Sequence, residues 1–268
     1  MIGGEDIGYE KYKRQQSKYR LVKDIMSKNV VTISEEATMT DAAKIMGEKH
    51  IGSLVVEGED TPWGIFTERD LLSRFIGIDG KIAPFRVKEG MSTPLITITP
   101  EITIKEAAKT MMTKKGRLVV VQNGKLVGIV TTSDLVKVLP ECPETMLVCD
   151  KYMTKNVISV NEDTTIMAVA TIMGEKRIGS VIVNKGGEPF GIFTERDLLT
   201  TFLAKGKTLQ SKVGESASSP LITIPTGTSV HRATYVMANK HVRRLPVMRE
   251  RKMVGIITSR DLVEAYTK

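Results

Sequence analysis

The sequence predicts an α/β fold of the α+β kind, four copies of one β-α-β-β-α unit, and three observations carry that expectation. The stretch Gly64-Ile65-Phe66-Thr67-Glu68-Arg69-Asp70-Leu71-Leu72 returns letter for letter at Gly191-Ile192-Phe193-Thr194-Glu195-Arg196-Asp197-Leu198-Leu199. Looser copies begin at Gly128 and Gly255, so the four are spaced about 64 residues apart, the mark of a repeated structural unit. Met26–Leu72 also aligns with Met153–Leu199 without a gap, with 26 identities in 47 positions. A single repeat of ~60 residues buries too little surface to stand comfortably alone, which predicts that repeats pair.

The elements follow in order. Residues 1–20 match no repeat and form a basic arm carrying Lys11, Lys13, Arg14, Lys18 and Arg20. Repeat 1 (21–82) opens with Val22 to Met26, and Val30 to Ile33 reads as a short strand. Thr38-Met39-Thr40-Asp41 is a capped helix start, and Ala42, Ala43, Ile45 and Met46 give an amphipathic helix ending near His50 and broken at Gly52. Ser53 to Val56 and Trp63 to Phe66 read as strands around a polar turn, and Glu68 to Phe75 as the closing helix. Repeat 2 (83–140) follows the same plan. Thr103-Ile104-Lys105-Glu106 is a capping box, Asn123-Gly124 marks a hairpin, and Leu135 to Leu139 closes the unit. Two prolines, Pro140 and Pro143, stop that helix and stiffen a linker at 141–146. Repeats 3 (147–208) and 4 (209–268) complete the chain.

Composition bounds the function. At 41% hydrophobic and 26% charged the chain is globular, and with 5% aromatics its cores are aliphatic, with the 14 Met as packing. A net charge of +8 admits nucleic acid, anionic membrane or phosphorylated ligands without choosing among them. No apolar run approaches the ~20 residues that span a bilayer, and the start lacks a signal-peptide pattern, so no membrane partner and a cytoplasmic location are expected. Cys142 and Cys149, with only His50, His231 and His241 beside them, do not make a zinc site. Free thiols are expected, with a disulfide between the two as the alternative.

In each copy a Thr- or Ser-containing run precedes a helix, a buried Leu-(Pro/Val)-Val-like strand follows, and Gly-apolar-apolar-Thr-x-x-Asp closes the pattern. This signature resembles the cystathionine-β-synthase (CBS) domain, and the repeats look like two Bateman modules. All four copies fit, from about residue 21 to the end. Four repeats with no attached catalytic domain are similar to archaeal relatives of the γ subunit of AMP-activated protein kinase.

The resemblance implies site residues. Asp70, Asp134, Asp197 and Asp261 would accept hydrogen bonds from ribose hydroxyls. Thr67, Thr131, Thr194 and Thr258 would face ribose or phosphate, because a helix start favours anions. Arg69, Ser133, Arg196 and Arg260, one residue before each Asp, would face phosphates, and so would Arg117, Arg243 and Arg244 at the even repeats' buried strands. Ser133 breaks the arginine pattern, and Gly116 stands in repeat 2 where Arg243 stands in repeat 4. In the odd repeats Ile51-Gly52-Ser53 and Ile178-Gly179-Ser180 would line an adenine pocket, with Thr32, Thr97, Ser159 and Thr223 beside the base edge. A competing account needs no ligand. Thr followed three residues later by Asp is also a helix cap worth about 1 kcal/mol, and the isoleucines also suit ordinary packing.

The expected function is a non-catalytic regulator that binds AMP, ADP or ATP in clefts of two Bateman modules and reports energy or metabolite state to a protein effector. S-adenosylmethionine and NAD(H) are alternative occupants. Nucleic-acid binding through the basic surface and arm is the competing class, without an aromatic stacking platform or recognised motif to support it. No nucleophile–base pair, metal cluster or Walker-type loop argues for an enzyme, and no catalytic cofactor is expected. The modules would close into a disk within one chain or pair as a homodimer.

Overall fold

The computed structural model describes residues 21–58, 61–75, 85–114, 116–139 and 147–268. The basic arm at 1–20, the linker at 141–146 and Cys142 lie outside the described residues. Repeat 1 contains β1 (Thr32–Ser34), α1 (Met39–Glu48), β2 (Ser53–Gly58), β3 (Thr61–Thr67) and α2 (Glu68–Phe75). Repeat 2 contains β4 (Thr97–Ile98), α3 (Ile104–Lys114), β5 (Leu118–Gln122), β6 (Lys125–Val130) and α4 (Thr132–Val136). Repeat 3 contains β7 (Ser159–Asn161), α5 (Ile166–Glu175), β8 (Ser180–Lys185), β9 (Glu188–Thr194) and α6 (Glu195–Asp197), which continues as a π-helical stretch, Leu198–Leu203. Repeat 4 contains β10 (Ile224–Pro225), α7 (Val230–Lys240), β11 (Arg244–Arg249), β12 (Lys252–Thr258) and α8 (Ser259–Thr267). Each repeat forms one three-stranded sheet in sequence order, its first two strands parallel and its last two an antiparallel hairpin.

Local chemistry accounts for the boundaries. Thr38 caps α1: its N–H and Oγ1 donate to Asp41 Oδ2 at 3.1 and 2.6 Å, and Asp41 N–H donates back to Thr38 Oγ1 at 3.1 Å. Thr103 and Glu106 do the same for α3. In repeats 3 and 4 the cap is one-sided, Thr165 accepting from Ala168 N–H and Ser229 from Arg232 N–H. The hairpin at Asn123-Gly124 has both residues at positive φ, 51° and 75°, as a two-residue turn between right-twisted strands requires. The reversal after α1 is made two residues earlier than Gly52. His50, at φ 53°, takes the left-handed conformation, and Arg177 at φ 52° does so after α5.

The chain forms two compact units, and it crosses between them at the start of each repeat. Of the described residues, one unit holds 21–30, 96–114, 116–139, 147–156 and 222–268, hence the sheets of repeats 2 and 4. The other holds 31–58, 61–75, 85–95 and 157–221, hence those of repeats 1 and 3. The opening segment of every repeat therefore packs on its neighbour's sheet. Leu21 and Ser27 bridge to Thr103 and Ile129 of repeat 2, while Arg86 and Ser92 bridge to Thr38 and Ile65 of repeat 1. Repeats 3 and 4 exchange segments in the same way, through Val148–Ser229, Thr154–Ile256, Thr165–Lys212 and Ile192–Ser218.

This exchange explains the glycine that opens each signature. A Cβ on Gly64 would meet Met91 Sδ at 2.5 Å, on Gly128 Met26 Sδ at 2.6 Å, and on Gly255 Met153 Sδ at 2.5 Å. On Gly191 it would meet the Ser218 carbonyl oxygen at 3.0 Å and Ala217 Cβ at 3.1 Å. The glycine is the seat of the exchanged segment, filled by a methionine in three repeats.

The cores are aliphatic. In the even unit Val22, Ile104, Leu118, Leu135, Val230, Leu245 and Leu262 belong to one cluster. In the odd unit the clusters interlock, Leu72 of repeat 1 packing with repeat 3 and Leu199 of repeat 3 with repeat 1. Cys149 is buried in the even core as a free thiol, and burial pushes its pKa up to about 12, so it is a packing residue with almost no thiolate at neutral pH. Among the described residues no helix is long and apolar enough to cross a membrane.

Candidate functional site

The hairpin of each repeat ends where its last helix begins, and the Thr-x-x-Asp sequence occupies that corner. Thr67, Thr194 and Thr258 close their strands opposite Ser53, Ser180 and Arg244 on the neighbouring strand. In repeat 2 the ladder ends one residue sooner, at Leu118–Val130, leaving Arg117 and Thr131 just beyond it. In all four copies one carboxylate oxygen, Oδ2, accepts both the N–H and the Oγ1–H of the threonine. The distances are 2.8 and 2.7 Å for Asp70, 2.9 and 2.7 Å for Asp134, 2.9 and 2.8 Å for Asp197, and 2.8 and 2.7 Å for Asp261. Asp70, Asp197 and Asp261 return an N–H to the threonine hydroxyl at 3.3, 3.3 and 3.4 Å. The Asp134 N–H goes instead to the Thr131 carbonyl at 3.1 Å. The threonine thus holds the carboxylate through one oxygen.

Asp261 also shows a shifted acidity. Burial raises its carboxyl above the ordinary aspartate value, against the opposing pull of the Thr258 hydrogen bonds. A raised folded-state pKa means that the native protein holds this proton more tightly than the unfolded chain. The associated stability is complete below the ordinary aspartate pKa and is lost as pH rises through the folded value. Asp261→Asn removes that loss, so the variant's stability relative to the parent is expected to increase between about pH 3 and pH 7, read from urea midpoints across that range.

Backbone hydrogen bonds draw a second segment onto the corners of repeats 1, 3 and 4. The N–H of the residue after the threonine donates to the Gly52 carbonyl from Glu68 (3.3 Å), to Gly179 from Glu195 (3.1 Å) and to Arg243 from Ser259 (3.0 Å). Ile51-Gly52-Ser53, Ile178-Gly179-Ser180 and Arg243-Arg244 therefore lie against their boxes. The corners differ in character. The even repeats present Arg117 and Arg244, both half-buried, with Arg243 exposed, whereas the odd repeats present small residues. The space beside Gly52 is already taken, since a Cβ there would lie 2.9 Å from Glu68 Oε2. Thr32, Thr97 and Ser159 sit one strand further, paired with Val55, Val119 and Ile182, and Thr223 precedes β10.

The residue before each aspartate has different surroundings in the two units. Arg69 Nε lies 3.3 Å from Glu195 Oε1, and Arg196 Nε lies 3.3 Å from Glu68 Oε1. In the even unit the positions of those glutamates carry Thr132 and Ser259, whose hydroxyls are 3.2 Å apart. Ser133 is half-buried and Arg260 exposed. Glu68 and Glu195 are the site-adjacent residues that pattern reading passed over. Their one signal is that Thr-Glu-Arg-Asp recurs in repeats 1 and 3 while repeats 2 and 4 lack the glutamate.

Comparison with known proteins agrees with this architecture. The CBS domain family matches at residues 22–77, 86–141, 148–204 and 213–268. The chain belongs to the CBS-domain family. The uncharacterized protein MJ1404 of Methanocaldococcus jannaschii is 27% identical over 91% of this chain. The uncharacterized protein MK0525 of Methanopyrus kandleri is 37% identical over 44% of it. The chain covers 61% and 62% of those two relatives, about three fifths of the curated proteins it matches. Among solved structures, protein MJ1225 of Methanocaldococcus jannaschii, described as a proposed archaeal homologue of the γ subunit of AMPK, superposes with a TM-score of 0.75. At 24% identity, covering 92% of this chain and 99% of that one, the likeness is one of fold.

Proposed function

We propose that this chain is a non-catalytic regulatory protein that takes up adenosine-containing ligands, AMP, ADP or ATP, beside its Thr-x-x-Asp corners and reports their occupancy to a protein effector in the cytoplasm. The observation that carries the reading is the fourfold corner itself, a carboxylate fixed by threonine through Oδ2 at a helix start. A short, rigid carboxylate suits the vicinal 2′- and 3′-hydroxyls of ribose, since each hydroxyl donates to it as a charge-assisted hydrogen bond. Arg117 and Arg244, next to the corners of the even repeats, suit a phosphate, which a guanidinium grips through two donors at once. Unequal equipment of odd and even repeats would let the protein weigh ligands that differ in phosphate number. A ligand shifts a conformational equilibrium only by its unequal affinity for the two states, so the output depends on that difference and not on tightness alone.

Calorimetric titration of nucleotide-free protein with AMP, ADP and ATP tests the reading, with S-adenosylmethionine, NADH and a short RNA as comparators. Saturable binding of an adenine nucleotide is the expected result. Binding of S-adenosylmethionine or NADH alone would keep the ribose role and change the ligand. Binding of RNA alone, falling steeply with salt, would replace the reading with the nucleic-acid one.

A further inference from the structure

The helix starts of repeats 1 and 3 carry a crossed charge arrangement. Glu68 and Arg69 stand at the first two positions of α2, and Glu195 and Arg196 at the first two of α6. Each arginine is held by the glutamate of the other repeat: Arg69 by Glu195 and Arg196 by Glu68, both at 3.3 Å through Nε. The partners are unequally exposed. The glutamate side chains are 7% and 10% accessible, against 63% for Arg69 and 35% for Arg196. The carboxylates are therefore the fixed half of each pair and the guanidinium groups the half with room to move. Each guanidinium belongs to the residue just before the ribose-anchoring candidate of its own repeat, Asp70 or Asp197.

A guanidinium that donates from Nε to a carboxylate has that donor committed, and its charge is partly neutralised. A phosphate arriving at Arg69 must compete with Glu195 for it, and one arriving at Arg196 must compete with Glu68. We propose that Glu195 and Glu68 are positioning residues that act in trans. Glu195 sets the grip of Arg69 on a phosphate-bearing ligand at repeat 1, and Glu68 sets that of Arg196 at repeat 3. This rests on the nucleotide reading above. It assigns the two odd repeats a shared control that the even repeats, with a hydroxyl contact between Thr132 and Ser259, do not have.

The test uses the full chain with Glu195→Gln or Glu68→Gln, which keep size and hydrogen bonding and remove the competing charge. Each is combined in turn with Asp70→Ala and with Asp197→Ala, and AMP and adenosine are titrated calorimetrically. Glu195→Gln is expected to tighten AMP binding roughly two- to fivefold, the range of an ion pair with one exposed partner. That gain should persist with Asp197→Ala and vanish with Asp70→Ala. Glu68→Gln should show the mirror image. Adenosine, which has no phosphate, should show no gain in either variant. Glu195→Asp, which shortens the reach and keeps the charge, gives a second readout with the same expected direction should the glutamine variant fold poorly. A gain that follows the glutamate's own repeat, an equal gain for adenosine, or unchanged AMP affinity would overturn the trans role while leaving nucleotide binding in place. Weaker AMP binding at both repeats together with lower stability would make the glutamates purely structural. If the unsubstituted protein binds neither AMP nor adenosine, the nucleotide reading falls and the trans role with it.

Discussion

Gly191→Ala is expected to destabilise the protein by about 2–3 kcal/mol, seen as a lower urea midpoint at unchanged slope. The added Cβ would lie 3.0 Å from the Ser218 carbonyl oxygen and 3.1 Å from Ala217 Cβ. Neither can turn aside. Ala217 has no rotatable side chain, and the Ser218 carbonyl accepts from Ile192 N–H at 3.0 Å while Ser218 N–H donates to the Ile192 carbonyl at 2.9 Å. Relief requires moving the exchanged segment of repeat 4 off the sheet of repeat 3. Gly64→Ala makes the informative contrast. Its Cβ would be closer to its neighbour, 2.5 Å from Met91 Sδ, but that neighbour is an unbranched thioether that can adopt another rotamer. The cost there is expected to be about 1 kcal/mol, and Met91→Ala in the same chain should remove much of it, giving a measurable coupling in a double-mutant cycle. Equal costs at Gly191 and Gly64, or no coupling between Gly64 and Met91, would mean that the seated segment is not what requires glycine.

Those glycines mark where the sequence was and was not legible. The repeats could be read because identical strings recur at a fixed interval, and the helix starts because Thr38–Asp41 and Thr103–Glu106 are bonds between residues three apart. The hairpin at Asn123-Gly124 is local in the same sense. The exchange of opening segments is not local. Met26 meets Gly128 across a separation of about a hundred residues, and nothing in a short apolar run says whose sheet it covers. The signature glycine is therefore legible only as part of a recurring signature, although a methionine accounts for it in three repeats. Gly52 read as a helix breaker and a place for a base to approach. In the folded chain His50 makes the reversal, and the Glu68 carboxylate lies over Gly52. Arg69 and Arg196 could be singled out from their position before an aspartate. Their partners could not, because an acid in the first turn of a helix is already explained by the helix dipole and does not advertise an arginine in another repeat.

Replacing Asp70, Asp134, Asp197 and Asp261 together separates the two roles that the same four residues can play. With alanine at all four positions the expected result is loss of adenine-nucleotide binding, but each box also opens and each helix start loses about 1 kcal/mol, so the result alone would not exclude a folding effect. Asparagine makes the distinction. Its amide oxygen can take over the acceptor role of Oδ2 toward the Thr67, Thr131, Thr194 and Thr258 groups that donate to it now. What asparagine cannot supply is the negative charge or a second acceptor oxygen, since that position becomes an NH2 donor facing ribose hydroxyls. Hydrogen bonds to a charged group contribute about 1.5–3 kcal/mol, so loss of one per site is expected to weaken nucleotide binding about 10- to 150-fold. The fourfold asparagine variant should therefore melt near the parent and fail to bind in the calorimeter at concentrations that saturate the parent. If it binds AMP as the parent does, the carboxylates are helix caps and the ribose lies elsewhere. If it loses binding while the folded state survives, the negative charge serves the ligand, and the threonine box is the device that aims it.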